Sequence, residues 1–154
     1  MTKLKIGDKA PDFSAPDQNG KNVKLADFKG KKIVLYFYPK DDTPGCTKEA
    51  CSFRDNYKQL QKAGYEIIGV SVDSVKSHKK FEEKYELPFI LLSDEEKQIV
   101  QDYGVWGKKK FMGKEYMGTN RVTFVIDEKG KIARIIEKVD VSNAAEQILS
   151  GEDE

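Results

Sequence analysis

Apolar residues occur in short runs separated by turn-forming residues. Residues 33–38 are apolar on both alternating faces and rich in β-branched and aromatic side chains, which is typical of a strand buried on both sides. The following apolar residues recur at spacings of three and four, which predicts one helix from Cys46 to about Ala63, closed by Gly64. The residues of this stripe are Ala50, Phe53, Tyr57 and Leu60.

Strands and helices are predicted to alternate along the rest of the chain. Asn19-Gly20 lies between two short extended segments and indicates an N-terminal hairpin. Alternation of β and α favours a central mixed sheet flanked by helices, and the late antiparallel hairpin favours a thioredoxin-like α/β fold. The further predicted strands are 66–73, 88–94, 121–127 and 131–139, and the further predicted helices are 75–87, 95–104 and 141–150, the last capped by Ser142 or Asn143.

Length and charge narrow the class of protein. A chain of 154 residues fits one domain, which we expect to span 1–154. The formal net charge of +1 provides no field of one sign to attract nucleic acid or an anionic membrane. Neither a leader segment nor an apolar run of about 20 residues is evident, so we expect a cytoplasmic protein. Thiols stay reduced there, which favours a catalytic, redox or metal-binding role for the two cysteines.

The first cysteine lies at the start of the predicted helix. Asp42 or Thr43 is placed to cap this helix, and Pro44 fits its first turn. The unpaired N–H groups and partial positive charge of a helix N-terminus stabilise a thiolate, which is the nucleophilic form of cysteine. Because Cys46 extends the apolar stripe by one turn before Ala50, we expect its sulfur to face the sheet in a partly buried pocket.

Cys51 follows Cys46 by five residues, which in an ideal helix separates the two Cα atoms by about 8.7 Å. A disulfide needs about 4.4–6.8 Å, so a bond between them requires the first helical turn to unwind. Three other interpretations of the pair stay open. Both cysteines could be inert core residues, they could bind a metal with His78, or they could exchange disulfides, although Cys-x4-Cys differs from the usual Cys-x-x-Cys.

Four motifs together resemble the peroxiredoxins, and in particular their bacterioferritin comigratory protein subfamily, also called peroxiredoxin Q. The most specific is Pro39-x-x-x-Thr43-x-x-Cys46, which matches the active-site signature of that family. The resemblance extends over almost the whole chain. The other motifs are Gly7-Asp8-x-Ala10-Pro11-Asp12-Phe13, Gly104-Val105-Trp106-Gly107 and Arg121-x-Thr123-Phe124-Val125-Ile126-Asp127.

The resemblance implies a role for each matching residue. Cys46 would attack a peroxide oxygen and become a sulfenic acid, and Cys51 would resolve it as an intramolecular disulfide. Thr43 would hydrogen bond to the thiolate and the peroxide, Pro39 would shield the sulfur, and Arg121 would hold it ionised. From the sequence alone, Arg121 could equally form a surface ion pair, and Thr43 could serve only as a helix cap.

The resemblance also implies the partners of the reaction. The substrates would be hydrogen peroxide and organic hydroperoxides, and thioredoxin or a similar dithiol would reduce the disulfide, with no metal or other cofactor; we expect a monomer. Lysine at 108, where the family more often has an acidic residue, should alter only the surface charge. Four nearby apolar residues could floor an access channel, but ordinary packing is the favoured expectation. They are Trp106, Phe111, Tyr116 and Met117.

Two rival functions involve the same cysteines. A redox sensor or interaction module would use the disulfide to change shape for a partner, and the predicted unwinding suits that role equally well. A general disulfide oxidoreductase would exchange with protein disulfides and depend little on peroxide. Catalytic turnover of peroxide distinguishes the peroxidase from both.

Overall fold

The computed structural model describes residues 2–151 and contains a mixed sheet between two layers of helices and loops. The strands are β1 (Ser14–Pro16), β2 (Asn22–Lys24), β3 (Lys32–Phe37), β4 (Tyr65–Ser71), β5 (Ile90–Ser93), β6 (Trp106–Phe111), β7 (Lys114–Thr119), β8 (Val122–Ile126) and β9 (Ile132–Ile136). The helices are α1 (Pro44–Asp55), α2 (Tyr57–Lys62), α3 (Val75–Tyr85), α4 (Gln98–Asp102) and α5 (Ala144–Ser150), with short 3-10 helices at Leu25–Phe28 and Val141–Asn143.

Strand β3 is the central strand of the sheet, whose order is β5-β4-β3-β8-β9. It pairs in parallel with β4, which pairs in parallel with β5, and it pairs antiparallel with β8, which pairs antiparallel with β9. This mixed sheet confirms the predicted thioredoxin-like α/β fold. Strands β1 and β2 form the predicted N-terminal hairpin, with Ala15 opposite Val23.

Side chains of β3 alternate between two hydrophobic cores, one on each face of the sheet. Residues 33, 35 and 37 pack with α4 and the N-terminal segments. Residues 34 and 36, together with Tyr38, pack with α1, α2, α3 and α5. Burial of each large apolar side chain contributes about 1.5–3 kcal/mol, and this burial on both faces explains the continuous apolar run of β3 in the sequence.

The parallel strands β3, β4 and β5 end at the same edge of the sheet. The Tyr38 N–H donates to Val70 O at 3.1 Å, and the Asp94 N–H donates to Ser71 O at 2.9 Å, so the three strand ends stay in register. The loop 39–43 leaves β3 at this edge and leads directly into α1. Loops at the carboxyl ends of parallel strands are the common location of binding and catalytic groups in α/β folds.

The predicted helix 46–63 is two helices, because the chain breaks at Asn56. Its backbone departs from the helical region, with φ −114° and ψ 15°. The Asn56 Nδ2 group donates to Ser52 O at 2.9 Å, so a side-chain donor competes with the helical ladder, a known tendency of asparagine. The helix also begins earlier than predicted, at Pro44.

Two helix ends near the carboxyl half differ from the predictions. The helix expected over 95–104 is the shorter α4, because the Asp94 carboxylate accepts hydrogen bonds from the N–H groups of residues 98–100 and caps it. At the final helix, Asp140 accepts from Ser142 N–H at 3.2 Å. Of the two predicted caps, Asn143 is the residue at the N-cap position of α5, but its side chain forms no capping hydrogen bond. Ser142 is not the cap, because it lies within a 3-10 turn that begins after Asp140.

A second hairpin, β6–β7, was not predicted. Its strands pair with each other and form a separate two-stranded sheet, so most of their side chains lie outside both cores. Three of the four residues expected to pack or to floor a channel are exposed, and that expectation was wrong for them: Phe111 66%, Tyr116 49% and Met117 48%. Trp106 is half-buried, with the Lys97 ammonium 5.5 Å from its ring centroid.

Within residues 2–151, none of the helices combines the length and apolar character that crossing a membrane requires.

Candidate active site

Cys46 lies in the first turn of α1, and its side chain is buried in the core beneath that helix. The helix begins with the Thr47 N–H donating to Thr43 O at 2.8 Å. Cys46 therefore lies among the N–H groups at the amino end of the helix, and its sulfur faces the sheet as predicted. Ala50, one turn later, is buried in the same core.

Arg121 connects the sulfur of Cys46 to a carboxylate. Its Nη2 group donates to Cys46 Sγ at 3.3 Å, and its Nη1 group donates to Glu49 Oε1 at 2.6 Å. Burial alone would lower the pKa of Arg121, but the negative charges of Glu49 and Cys46 outweigh it and raise that pKa. The guanidinium thus stays charged beside the sulfur, a geometry that stabilises a thiolate.

Glu49 completes this cluster, although the sequence did not indicate it as a site residue. The side chain is fully buried, and burial raises its pKa to about 7 although the charge of Arg121 opposes the shift. Its second oxygen, Oε2, has no hydrogen-bond partner among the described residues. The available signal was spacing, because a glutamate three residues after Cys46 shares the helix face that carries the apolar stripe.

Thr43 and Pro39 lie in the loop before α1, close to Cys46 in the chain. Thr43 has an extended backbone, and its Oγ1 donates to Lys40 O at 2.9 Å. The predicted side-chain cap is therefore not formed, and no hydrogen bond joins Thr43 to Cys46 among residues 2–151. Pro39 is half-buried directly after Tyr38, at the end of the central strand.

A buried hydrogen-bond network anchors the same loop to the sheet edge. The Asp41 carboxylate accepts from Tyr38 Oη at 2.6 Å and from Ser77 Oγ at 2.8 Å, and it pairs with His78 Nδ1 at 2.7 Å. His78 is completely buried and donates from Nε2 to Leu92 O at 2.9 Å. From the sequence, His78 was considered only as a possible metal ligand, so this buried role was not predicted.

Asp41, Asp73 and His78 are also the one group of potential metal ligands among the described residues. Their polar atoms already bond to the protein: Asp73 Oδ2, for example, accepts from Asp41 N–H at 2.8 Å and from Ser71 Oγ at 2.7 Å. The arrangement is that of a satisfied internal network, which holds the loop in place.

Cys51 lies further along α1 and is half-buried. Both cysteines are free thiols, so this is the reduced state of the pair. Burial raises the pKa of Cys51, and the nearby charge of Arg54 opposes that shift. The two cysteines therefore differ in setting, because Arg121 bonds to Cys46 whereas Cys51 lies away from that guanidinium fork.

The AhpC/TSA family model matches residues 6–135. The chain belongs to the AhpC/TSA family. It is 48% identical to Peroxiredoxin Bcp of Escherichia coli (strain K12) over 150 residues, which cover 97% of this chain and 96% of that protein. It is also 50% identical to Peroxiredoxin Bcp of Bacillus subtilis (strain 168) over 146 residues, which cover 95% and 93%. The predicted resemblance to the peroxiredoxins is confirmed.

The fold of this peroxiredoxin matches a solved structure over nearly its full length. The bacterioferritin comigratory protein of Xanthomonas campestris superposes with a TM-score of 0.89 at 34% identity, covering 98% of this chain and 96% of that one. That structure was determined for insight into alkyl peroxide reduction, from trapped intermediate and ligand complexes. The subfamily expected from the sequence is thereby confirmed as well.

Proposed function

We propose that this peroxiredoxin is a single-domain thiol peroxidase in which Cys46 reduces hydrogen peroxide and organic hydroperoxides. The observation that carries the proposal is the bond from Arg121 Nη2 to Cys46 Sγ at 3.3 Å in a buried setting. A charged donor fixed beside the sulfur favours the thiolate, and it can also polarise the O–O bond of a peroxide bound there. The alkyl peroxide reduction of the Xanthomonas campestris relative supports organic hydroperoxides as substrates.

In the first step, the Cys46 thiolate attacks the terminal oxygen of ROOH. The S–O bond forms as the O–O bond breaks, sulfur loses two electrons, and the departing RO⁻ takes up a proton to give ROH. The product is a sulfenic acid, Cys46–SOH. Thr43 is proposed to redirect its hydroxyl from Lys40 O to the peroxide, and Pro39 to limit the access of water.

In the second step, the Cys51 thiol condenses with the sulfenic acid. An S–S bond forms and one water molecule leaves. Since both cysteines lie in the intact helix α1, and five residues of ideal helix separate Cα atoms by about 8.7 Å, the first turn must unwind for this step. We propose a folded helix in the reduced enzyme and a locally opened one in the disulfide form.

An external dithiol then reduces the disulfide through a mixed disulfide and is itself oxidised. Thioredoxin is our proposal for this partner, in the cytoplasm, where such dithiols are kept reduced. We further propose that the enzyme works as a monomer, with no metal or organic cofactor, and without binding nucleic acid or a membrane. Over the full cycle, the dithiol gives up two electrons and the peroxide accepts them, so no other redox reactant is needed.

The test is mass spectrometry after one equivalent of hydrogen peroxide is added to fully reduced protein. We expect the mass to fall by two hydrogens, mapped to a Cys46–Cys51 bond.

The variant Cys46→Ser should lose peroxide consumption. The variant Cys51→Ser should consume about one equivalent, lose dithiol-supported turnover, and over-oxidise at Cys46 more readily.

The same experiment separates the peroxidase from its rivals. Steady turnover with peroxide and thioredoxin argues against a redox sensor, which would form the disulfide without sustained turnover. A general disulfide oxidoreductase would instead reduce protein disulfides at a rate independent of peroxide. Unchanged peroxide consumption in Cys46→Ser would refute the proposal.

A further inference from the structure

The two cysteines lie within the segment 42–54, and both ends of that segment are hydrogen bonded to Tyr85. At the upstream end, Tyr85 Oη donates to Asp42 Oδ1 at 2.9 Å. At the downstream end, Arg54 Nη1 donates to the backbone carbonyl of Tyr85 at 2.8 Å. One residue, the last of α3, thus fixes both flanks of the helical turns that carry Cys46 and Cys51.

The upstream contact holds a strained residue. Asp42 has φ 57°, in the left-handed region that non-glycine residues seldom adopt. Besides the Tyr85 hydroxyl, its carboxylate accepts from Lys84 Nζ at 2.8 Å. Two donors from the end of α3 therefore keep Asp42 in this conformation directly before Thr43, the N-cap residue that precedes α1.

The downstream contact ties α1 to the end of α3. The Tyr85 carbonyl belongs to the last turn of α3, where carbonyls lack partners within the helix, so Arg54 supplies the missing donor. The next residue, Glu86, is left-handed with φ 52° and ends the helix. The Tyr85 ring packs edge to face on Phe81, with 5.5 Å between centroids, which fixes the direction of the hydroxyl.

We propose that Tyr85 is a positioning residue that clamps the segment 42–54 in its folded form and so limits the rate at which oxidised Cys46 reaches Cys51. This inference rests on the proposed function, because it needs Cys51 as the resolving cysteine. Asp42 directly precedes the turn that unwinds, so the Tyr85–Asp42 contact opposes a change in the course of the chain at that point. The Arg54–Tyr85 contact holds the rest of α1 against the end of α3.

The clamp would set the balance between two fates of the sulfenic acid. Condensation with the Cys51 thiol releases water and gives the disulfide. Attack on a second ROOH instead gives a sulfinic acid and ROH, which stops the cycle. A weaker clamp speeds the first reaction and leaves the second unchanged, so it protects the enzyme against over-oxidation. The clamp itself favours the folded site, in which Cys46 meets its first peroxide.

The test uses Tyr85→Phe, which removes the hydroxyl and keeps the ring that packs on Phe81. Stopped-flow fluorescence of Trp106 and quenched-flow mass spectrometry would follow sulfenic acid and disulfide formation separately. We expect disulfide formation to accelerate about threefold to tenfold, the effect of losing one partly exposed hydrogen bond to a carboxylate. The peroxide dose that gives half sulfinic acid should rise by the same factor, and the first oxidation of Cys46 should change less than about twofold.

Two further variants serve as controls. Tyr57→Phe removes another half-buried hydroxyl, one that donates to Glu66 at 3.4 Å, and should leave both rates unchanged. Asp42→Gly tolerates the left-handed conformation and removes the carboxylate that accepts from Tyr85. If the clamp acts through Asp42, then adding Tyr85→Phe to Asp42→Gly should produce little additional acceleration.

The outcomes are distinguishable. Suppose that the unmodified enzyme forms the disulfide normally, and that Tyr85→Phe leaves the ratio of disulfide to sulfinic acid unchanged. This result would overturn the proposed clamp and leave the proposed function standing. Full additivity of the two substitutions would also overturn the clamp. If the unmodified enzyme forms no Cys46–Cys51 bond, the proposed function itself fails. A thermal unfolding midpoint measured for each variant verifies that the comparison concerns folded protein.

Discussion

Arg121 and Cys46 are 75 residues apart in the chain, yet Arg121 Nη2 donates to Cys46 Sγ at 3.3 Å. The bond forms because α1 follows β3, and Arg121 directly precedes β8, which pairs antiparallel with β3. The second arm of the guanidinium bonds to Glu49 at 2.6 Å. The bond to Glu49 fixes the plane of the guanidinium and leaves the Nη2 group directed at the sulfur of Cys46.

Arg121→Lys should reduce the second-order rate constant for oxidation of Cys46 by hydrogen peroxide about 100- to 1,000-fold, as expected for loss of a preorganised donor at a developing charge. An ammonium group cannot bond to Glu49 and Cys46 with the fixed geometry of a guanidinium fork. Stopped-flow fluorescence measures this rate. The matched control is Arg134→Lys, because Arg134 donates to Ile148 O and Gln147 O in α5, and a comparable loss there would contradict the prediction.

Glu49→Gln should change how stability depends on pH. Burial raises the pKa of Glu49 from 4.5 to about 7. Between these values the folded state keeps the proton that the unfolded state releases, so this group destabilises the fold as pH rises. The free energy of unfolding falls by about 3 kcal/mol in total, and the fall is complete by about pH 8.

Urea denaturation of the reduced protein at several pH values tests this prediction. The unfolding free energy of the unmodified enzyme, relative to Glu49→Gln, should fall by about 3 kcal/mol as pH rises from about 4.5 to about 8. The advantage in unfolding free energy of the unmodified enzyme over Glu49→Gln should be largest at the lowest pH of the series. Parallel stability curves for the two proteins would show that Glu49 is not perturbed by burial in this way.

Phe111→Ser, on the exposed β6–β7 hairpin, should alter the free energy of unfolding by less than about 0.5 kcal/mol. Its side chain is 66% exposed, so little apolar surface returns to water on unfolding. By contrast, Phe124 is fully buried between Phe37 and Tyr103, and Phe124→Ala should cost about 3–5 kcal/mol. Chemical denaturation compares the two, and similar losses would contradict the placement of the hairpin outside the cores.

Gly69→Ala should destabilise the protein by about 1–3 kcal/mol through overpacking. A Cβ atom at this position would lie 2.8 Å from the Tyr36 ring and 3.0 Å from Leu91 Cδ2. Both neighbours are buried in the core beneath α1 and have little freedom to move. Gly107→Ala is the control, since its nearest neighbour would be Asn120 Nδ2 at 3.5 Å. Equal unfolding free energies for the two variants would refute the steric argument.

The sequence by itself determined the five strands of the central sheet and the position of Cys46 at the start of a helix. Residues 33–38 predicted a strand buried on both faces, and β3 has this environment because a hydrophobic core packs against each face of the sheet. The stripe that includes Cys46 and Ala50 predicted which helix face meets the sheet. Such patterns are local and periodic, so spacing along the chain is sufficient to predict them.

Two local features were not predicted from the sequence, namely the helix break at Asn56 and the β6–β7 hairpin. The break at Asn56 depends on a side chain replacing a helical donor, which composition and periodicity do not reveal. The β6–β7 hairpin carries exposed apolar residues, so the rule that apolar residues are buried failed for Phe111 and Met117. In both cases one local interaction outweighed the average preference of the residue type.

Only the tertiary structure decided which distant groups share the site. Glu49 pairs with Arg121, His78 pairs with Asp41, and Tyr85 bonds to both flanks of the helix with the cysteines. Each of these contacts joins different elements, so its formation depends on how the sheet and helices pack. Hydrophobic periodicity indicates which face of an element is buried. The partner that a buried polar group must find is set by the packing of the whole fold.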